Sequence, residues 1–153
     1  MGGHEERLAD LGIILPPPLA AGENFVPVRI CDGMAYVSGH GAALDDHALC
    51  LGVVPDQVDV ERARWAARQT AMALLSTLHD CLGSLDAIDY LVSIRGYIAT
   101  AQGFTQHPTI LDGASELFLQ IFGPHGVHAR CAIGVASLPF GLTVEIELTA
   151  RLA

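Results

Sequence analysis

The sequence predicts a two-layer α/β sandwich in which strands at both ends of the chain enclose two helices. The helices are indicated by apolar residues that recur at three- and four-residue spacing over 59–82 and 106–122. The closing strand is indicated by strict apolar/polar alternation over 144–152. The predicted order is β-β-(β)-α-β-α-β-β, without internal repeats. We assign 1–24 to an N-terminal arm and 25–153 to a single domain.

The arm and the first two strands are read from local signals. Residues 1–24 carry a short helical pattern and then Pro16-Pro17-Pro18, a run that is extended and cannot lie inside a sheet. The pair Asp32-Gly33 separates two β-prone runs, which predicts a hairpin with strands over 25–31 and 34–39. A polar loop over 39–47 follows, and then a weak strand over 50–54.

The remaining elements have clear boundaries. Acidic Asp59 and Glu61 stand at the start of the first helix and Gly83 follows its end, as capping and the helix dipole favour. A strand over 88–100 comes next. Gly123-Pro124 ends the second helix, and the strands over 129–137 and 141–152 close the domain.

Composition points to an oligomer. Apolar residues make up 51% of the chain, charged residues 16%, and the mean hydropathy is +0.41, although no run reaches the ~18 apolar residues of a spanning helix. On the predicted strand 129–137, Arg130 shares its face with the small residues Ala132, Gly134 and Ala136. We therefore expect the backbone of another subunit to approach this face.

Charge and cysteine content exclude several function classes. The formal net charge is −9 and all 8 cations are arginine, which disfavours nucleic acid and anionic membranes as partners. No CxxC pair occurs among the 4 cysteines, so neither a zinc site nor a redox pair is expected. Cys31 and Cys131 lie in apolar runs and are predicted to be buried thiols. With no secretory signal expected, the compartment is predicted to be a reducing cytoplasm.

Several polar residues are candidates for a functional site, and each of them could instead have an ordinary structural or surface role. His125 and His128 have metal-ligand spacing, but without a third ligand they are interpreted as loop histidines. His40 follows a strand end, where it lines a pocket or serves structure. Arg130 is either a solvated surface charge, or its guanidinium group points into a cavity that the small residues leave open. Glu145, with Glu147, is either an ordinary polar strand face or part of a site.

At this point the sequence resembles the Rid/YjgF family of reactive-intermediate deaminases over about residues 8–152. Arg130 at the head of a strand, followed by small/apolar alternation, Leu138-Pro139 and Val144-Glu145-Ile146-Glu147, is similar to the family's C-terminal signature. Met34-Ala35-Tyr36-Val37-Ser38-Gly39 resembles its second strand. The stretch 103–117, the proline-rich arm and His128-Ala129-Arg130 resemble a longer subgroup of the family.

The resemblance implies a chorismate-mutase-like fold, with a mixed sheet, two helices on one face and a homotrimer that has three clefts between subunits. It implies hydrolysis of imines and enamines of 2-oxo acids to the oxo acid and ammonia, without a cofactor or metal. Arg130 matches the family arginine that pairs with the substrate carboxylate. Ser38 matches the strand-end serine, and Glu145 matches the glutamate that helps to position water.

The sequence also departs from the family pattern. Phe25 stands where the family has a tyrosine, Asp112 matches an asparagine, and Cys131 follows the arginine where active members often carry serine. Two functions therefore remain open: an imine/enamine deaminase, or a binding protein that keeps the Arg130 pocket for a small carboxylate without turnover. A third, ribonuclease or translation inhibitor, is opposed by the negative charge and the absence of lysine.

Overall fold

The computed structural model describes residues 3–44, 47–48 and 50–153. Its helices are α1 (His4–Asp10), α2 (Val60–Leu82) and α3 (His107–Phe122). Its strands, in chain order, are β1 (Val28–Cys31), β2 (Met34–Gly41), β3 (Ala43–Leu44), β4 (His47–Ala48), β5 (Ile88–Ala99), β6 (Ala129–Val135) and β7 (Val144–Leu152). None of the helices in this described part of the chain is long and apolar enough to cross a membrane.

Five strands form one mixed sheet in the order β1-β2-β7-β5-β6, and β3 pairs with β4 separately. The pair β5–β6 is parallel, and the other neighbours are antiparallel. Both long helices pack on the same face of the sheet, where alternate residues of β7, such as Ile146 and Leu148, are buried. The predicted two-layer sandwich with both helices on one face is confirmed.

The helix boundaries follow the predicted caps. The Asp59 carboxylate accepts a hydrogen bond from the Arg62 backbone N–H at 2.7 Å, and Gly83 ends α2 with φ of 80°. The helices α2 and α3 approach closely at Gly113, where a Cβ atom would lie 2.2 Å from the Arg64 carbonyl oxygen. Glycine at this position therefore sets the spacing of the helical layer.

The arm packs on the helical layer. Leu8 of α1 is buried, and Ile13 and Leu15 pack against the core. The Ser76 hydroxyl of α2 donates to the Pro16 carbonyl, and the Leu19 N–H donates to the Thr77 hydroxyl at 3.1 Å. The extended proline run is thus tied to α2 by the hydroxyl groups of that helix.

Several strand boundaries differ from the predictions: β6 ends at Val135 rather than at residue 137, and β7 begins at Val144 rather than at residue 141. The first strand begins at Val28 rather than at residue 25, after Pro27, which has no N–H to donate. Residues 50–54 form two isolated bridges, Leu51–Leu142 and Val54–Thr100, instead of a strand. The predicted loop over 39–47 contains the last residues of β2, all of β3 and the first residue of β4. Its Asp45-Asp46 pair lies outside the described residues.

One prediction about exposure was wrong, and one stays a prediction. Gly134 and Ala136 on the small-residue face of β6 are exposed, although a Cβ atom on Gly134 would lie 2.4 Å from Thr100 Oγ1 and 2.5 Å from His107 Nε2. The approach of another subunit to this face therefore remains an expectation. Cys31 and Cys131 are exposed rather than buried, because β1 and β6 are the two edges of the sheet.

Candidate functional site

Arg130 is anchored to α3 by two side chains of that helix. It lies on the edge strand β6, in register with the buried Ile94 of β5, so its side chain points to the helical face of the sheet. Its Nη1 donates to Asp112 Oδ1 at 2.7 Å and to Ser115 Oγ at 3.1 Å. Asp112 and Ser115 are three residues apart on one helix face, which lets both reach the same nitrogen.

His128 completes this arrangement. Its Nδ1 lies 2.6 Å from the Gly126 carbonyl oxygen and its Nε2 lies 3.0 Å from Ser115 Oγ. Because a carbonyl only accepts, Nδ1 carries the proton, and Nε2 of the neutral ring accepts from the Ser115 hydroxyl. Burial, and secondarily the Arg130 charge, lowers the pKa of His128, which favours this neutral form. Arg130, Asp112, Ser115 and His128 are called the Arg130 cluster below.

Ser38 and Glu145 lie on the opposite, helix-free face of the sheet. A Cβ atom on Gly39 would lie 2.5 Å from Glu145 Oε1, so glycine allows this carboxylate to rest against β2. The Ser38 hydroxyl donates to the Val26 carbonyl at 2.7 Å. Ser38, Gly39 and Glu145 are called the Glu145 cluster below.

Glu145 is held in a partly buried, acidic environment. Burial, with a smaller contribution from the Glu147 charge, raises its pKa above the ordinary value for glutamate. Glu147 itself accepts a hydrogen bond from the Tyr97 hydroxyl at 3.1 Å and from Arg95 Nη1 at 3.3 Å. A carboxylate whose pKa is raised toward neutrality is better suited to exchange protons with a bound water.

The other three predicted site residues lie in different surroundings. Phe25 is 50% exposed and precedes β1, at the sheet edge remote from β6. His40 is buried between β2 and α2, where its Nε2 lies 2.8 Å from Thr77 Oγ1 and its Nδ1 lies 2.6 Å from the Ser38 carbonyl. Cys131 is exposed on the helix-free face, opposite to its neighbour Arg130. His40 thus links the two layers.

One chain does not bring the two clusters together. Arg130 is level with Ile94 of β5, whereas Glu145 is level with Tyr97, three residues further along that strand. This offset corresponds to about 10 Å along the sheet, with two strand spacings of about 4.8 Å across it. The two side chains also point to opposite faces. A ligand of a few atoms therefore cannot touch both residues of the same chain.

The remaining candidates give no metal centre. Nowhere in the described residues do three His, Cys, Asp or Glu side chains converge as a metal would require. His125 Nδ1 lies 2.6 Å from the Asp89 carbonyl oxygen, while His128 faces Ser115. The predictions from sequence did not include Ser115 among the site residues, and they interpreted His128 as a loop histidine. The three-residue spacing from Asp112 to Ser115 was the available signal.

Comparisons with known proteins identify the family and the fold of the chain. Residues 5–152 match the family described as "YjgF/chorismate_mutase-like, putative endoribonuclease". Protein TCP17 of Trypanosoma cruzi is 36% identical over 148 residues, covering 95% of this chain and 92% of that protein. The crystal structure of Atu1372 from Agrobacterium tumefaciens, a protein of unknown function, is 34% identical with a TM-score of 0.88, covering 97% and 91% of the two chains.

A second solved structure is similar along its whole length. The "putative endoribonuclease" from Shewanella oneidensis has a TM-score of 0.93 and 29% identity, covering 99% of this chain and 100% of that chain. The family match spans the arm, both layers and both clusters of the present chain. The chain therefore belongs to the YjgF/chorismate-mutase-like family.

Proposed function

We propose that this protein is a cofactor-free deaminase that hydrolyses imines and enamines of small 2-oxo acids, with the substrate carboxylate held by Arg130. The anchoring of Arg130 is the observation that carries the proposal. Asp112 and Ser115 both bind Nη1, and no hydrogen bond within the described residues engages Nε or Nη2. The side chain is 26% exposed. The free edge of the guanidinium can therefore form the paired hydrogen bonds that a carboxylate accepts.

The reaction needs only water and proton transfer. Protonation of an enamine on carbon gives the protonated imine. The oxygen of water then adds to the carbon of the protonated imine while a base takes one proton from that water, which gives a neutral carbinolamine. The base returns this proton to the nitrogen, and the carbon–nitrogen bond breaks as the hydroxyl group loses its proton, which releases ammonia and leaves the 2-oxo acid. Glu145, with its raised pKa, is the base that we assign to this water.

The energetic demand is modest because imines hydrolyse unaided. A thousandfold acceleration corresponds to about 4 kcal/mol. The pairing of a guanidinium with a carboxylate contributes roughly 1.5–3 kcal/mol and fixes the orientation of the substrate. A water that Glu145 holds in place can supply the remainder through proximity and proton transfer.

Separation of the two clusters supports a site between subunits. If Arg130 and Glu145 act on one small substrate, they must come from different copies of the chain. A head-to-tail contact that joins the β6 edge of one copy to the β2–β7 region of the next would do this. Such heterologous contacts form a ring when the rotation between copies closes, and we propose the homotrimer that the family resemblance implies.

A non-catalytic carboxylate-binding protein is the second candidate function. It is favoured by the ion pair between Asp112 and Arg130, which reduces the net positive charge offered to an anion. It is also favoured by Phe25, which offers no hydroxyl group. Both candidates share the Arg130 site and differ only in turnover.

The family description and one similar structure also mention endoribonuclease activity. The net charge of −9 and the absence of lysine oppose RNA binding by this chain. We expect no RNA binding above background. Binding that weakens steeply between low and physiological salt would support the ribonuclease function instead.

Substitution of Arg130 tests the proposal. Arg130→Lys keeps the charge but loses the two-pronged geometry, so affinity for pyruvate should fall, and Arg130→Ala should lower it further. Binding is measured by calorimetry, and turnover by imine hydrolysis coupled to a serine or threonine dehydratase. Arg68→Ala is the matched control, since Arg68 bonds Gln120 on α3 and not the residues of the Arg130 cluster. Equal binding and turnover in wild type and Arg130→Ala would refute the proposal, while binding without turnover in wild type would identify the second candidate.

A further inference from the structure

We propose that His40 is a positioning residue for the Glu145 carboxylate: its imidazole holds a bulge in β2, and the carboxylate rests against that bulge. His40 is buried on the helical face of the sheet, whereas Glu145 lies on the other face, so His40 acts through the backbone of β2. The inference rests on the proposed role of Glu145 as the base and adds the residue that keeps this base in place.

The register of β2 against β7 shows the bulge. Between Val37 and His40, β2 has the two residues Ser38 and Gly39, whereas β7 has one residue between their partners. Because of the extra residue, Val37 and His40 are both buried on the helical face although they are three positions apart. The bulge also brings Gly39 against Glu145, where a Cβ atom would lie 2.5 Å from Oε1. It therefore determines the surroundings of the carboxylate.

Ser38 is held at three points in this bulge. Its N–H donates to the Pro27 carbonyl at 2.8 Å, and its hydroxyl donates to the Val26 carbonyl at 2.7 Å. Its own carbonyl accepts from His40 Nδ1 at 2.6 Å. A bulge interrupts the ladder and leaves a residue unpaired, and a carbonyl without a partner away from water is costly. His40 thus supplies a donor at a position that the β2–β7 ladder skips.

The orientation of the His40 ring is fixed from α2. Because a carbonyl only accepts, Nδ1 carries the proton, and Nε2 accepts from the Thr77 hydroxyl at 2.8 Å. The Thr77 hydroxyl in turn accepts from the Leu19 N–H of the arm at 3.1 Å. Burial lowers the pKa of His40 more than its bond to Ser38 raises it, which favours the neutral ring. Both ring nitrogens are bonded, so the ring cannot turn without losing two hydrogen bonds.

The protonation of Glu145 reports on the bulge. Its burial, with a smaller contribution from the Glu147 charge, raises its pKa. Tyr97 of β5 stands opposite Glu145 in the ladder, and Arg95 stands opposite Glu147 and bonds it. If the bulge relaxes, water reaches the Glu145 carboxylate and its pKa falls toward the ordinary value. The two side chains lie on opposite faces, so a change at His40 reaches Glu145 only through the strand.

Two variants of His40 separate the hydrogen bond from packing. His40→Asn places an N–H donor where Nδ1 stands but loses most of the ring, whereas His40→Leu fills much of the ring volume and has no donor. The pKa of the Glu145 carboxyl is measured by carbon NMR titration of the intact protein, with Glu145→Gln to assign the signal. We expect this pKa to fall toward the ordinary glutamate value in His40→Leu and to stay raised in His40→Asn.

Turnover gives a second measurement. In the imine-hydrolysis assay, kcat should fall about tenfold in His40→Leu, while KM changes by less than about twofold because Arg130 still holds the substrate carboxylate. His40→Asn should keep kcat within about threefold of wild type. A role of His40 in stability alone would lower the amount of folded protein without separating kcat from KM.

The outcomes distinguish the two proposals. An unchanged Glu145 pKa in His40→Leu, or an equal fall in both variants, would overturn the inference. If neither variant folds, the nitrogen NMR shifts of the His40 ring in wild type decide it: a proton on Nδ1 supports the bond to Ser38, and a proton on Nε2 removes that bond and the inference with it. Absence of turnover in wild type would refute the proposed deaminase, while the titration of Glu145 would still decide the role of His40.

Discussion

Substitution of Ser115 by alanine probes how firmly the Arg130 cluster is held. The change removes an oxygen that accepts from Arg130 Nη1 at 3.1 Å and donates to His128 Nε2 at 3.0 Å. Two such bonds contribute about 0.5–1.5 kcal/mol each, and partial exposure of Arg130 favours the lower end of that range. Alanine regains about 0.5 kcal/mol through its helix propensity. We expect a net loss of about 1 kcal/mol in the free energy of unfolding.

A double-mutant cycle separates the hydrogen bond from the propensity effect. Ser115→Ala and Arg130→Ala are made singly and together, and the stability of each is measured by urea unfolding. The change in helix propensity accompanies Ser115→Ala whether or not Arg130 is present, so it cancels in the cycle. We expect a coupling energy of about 0.5–1 kcal/mol. Ser115→Ala should also weaken pyruvate binding by about three- to tenfold. A coupling energy within about 0.3 kcal/mol of zero, together with unchanged binding, would refute the cluster as a positioning unit.

Two further predictions concern the packing of the helices and the ionisation of Glu145. Gly113→Ala should destabilise the protein by about 1–3 kcal/mol in urea unfolding despite the better helix propensity of alanine, because the new Cβ would lie 2.2 Å from a carbonyl of α2; an unchanged or higher stability would contradict the close helix approach. Glu145→Gln should raise stability at pH 7 by less than about 1 kcal/mol, since the raised pKa shows that ionisation is unfavourable in the fold, and the gain should vanish below pH ~4, where glutamate is protonated. Lower stability of Glu145→Gln at pH 7 would show that the charged carboxylate is stabilising.

The layers and their order were predictable because they depend on local patterns. Periodicity located α2 and α3, the caps Asp59 and Gly83 fixed the ends of α2, and alternation located β7. Each of these signals lies within one segment of the chain. The isolated bridges over 50–54 could not be predicted in this way, because their partners Leu142 and Thr100 are distant in sequence.

The candidate site was only partly predictable for the same reason. Arg130 and Asp112 were singled out, and the structure joins them at 2.7 Å. Cys131 on β6 was predicted to be buried because a run of apolar residues does not reveal that the strand lies at the edge of the sheet. Separation of Glu145 from Arg130 depends on sheet order and on which face each strand presents. That information comes from long-range pairing, which no single segment carries.

The central claim is that Arg130 of one subunit and Glu145 of another act on the same substrate. Arg130→Ala and Glu145→Gln, each expected to be inactive alone, are mixed in equal amounts, unfolded together, refolded, and assayed for imine hydrolysis. A site in a mixed ring is intact when one subunit supplies arginine and the next supplies glutamate, so about one quarter of wild-type activity should return.

The matched control mixes wild type with the double variant Arg130→Ala/Glu145→Gln. Sites shared between subunits predict about one quarter of wild-type activity in this mixture, whereas sites within one subunit predict about one half. Recovery of about one quarter in both mixtures is the result that the proposed shared site predicts. No recovery in the first mixture and about one half in the second would show that both residues act within one chain, which would contradict the account.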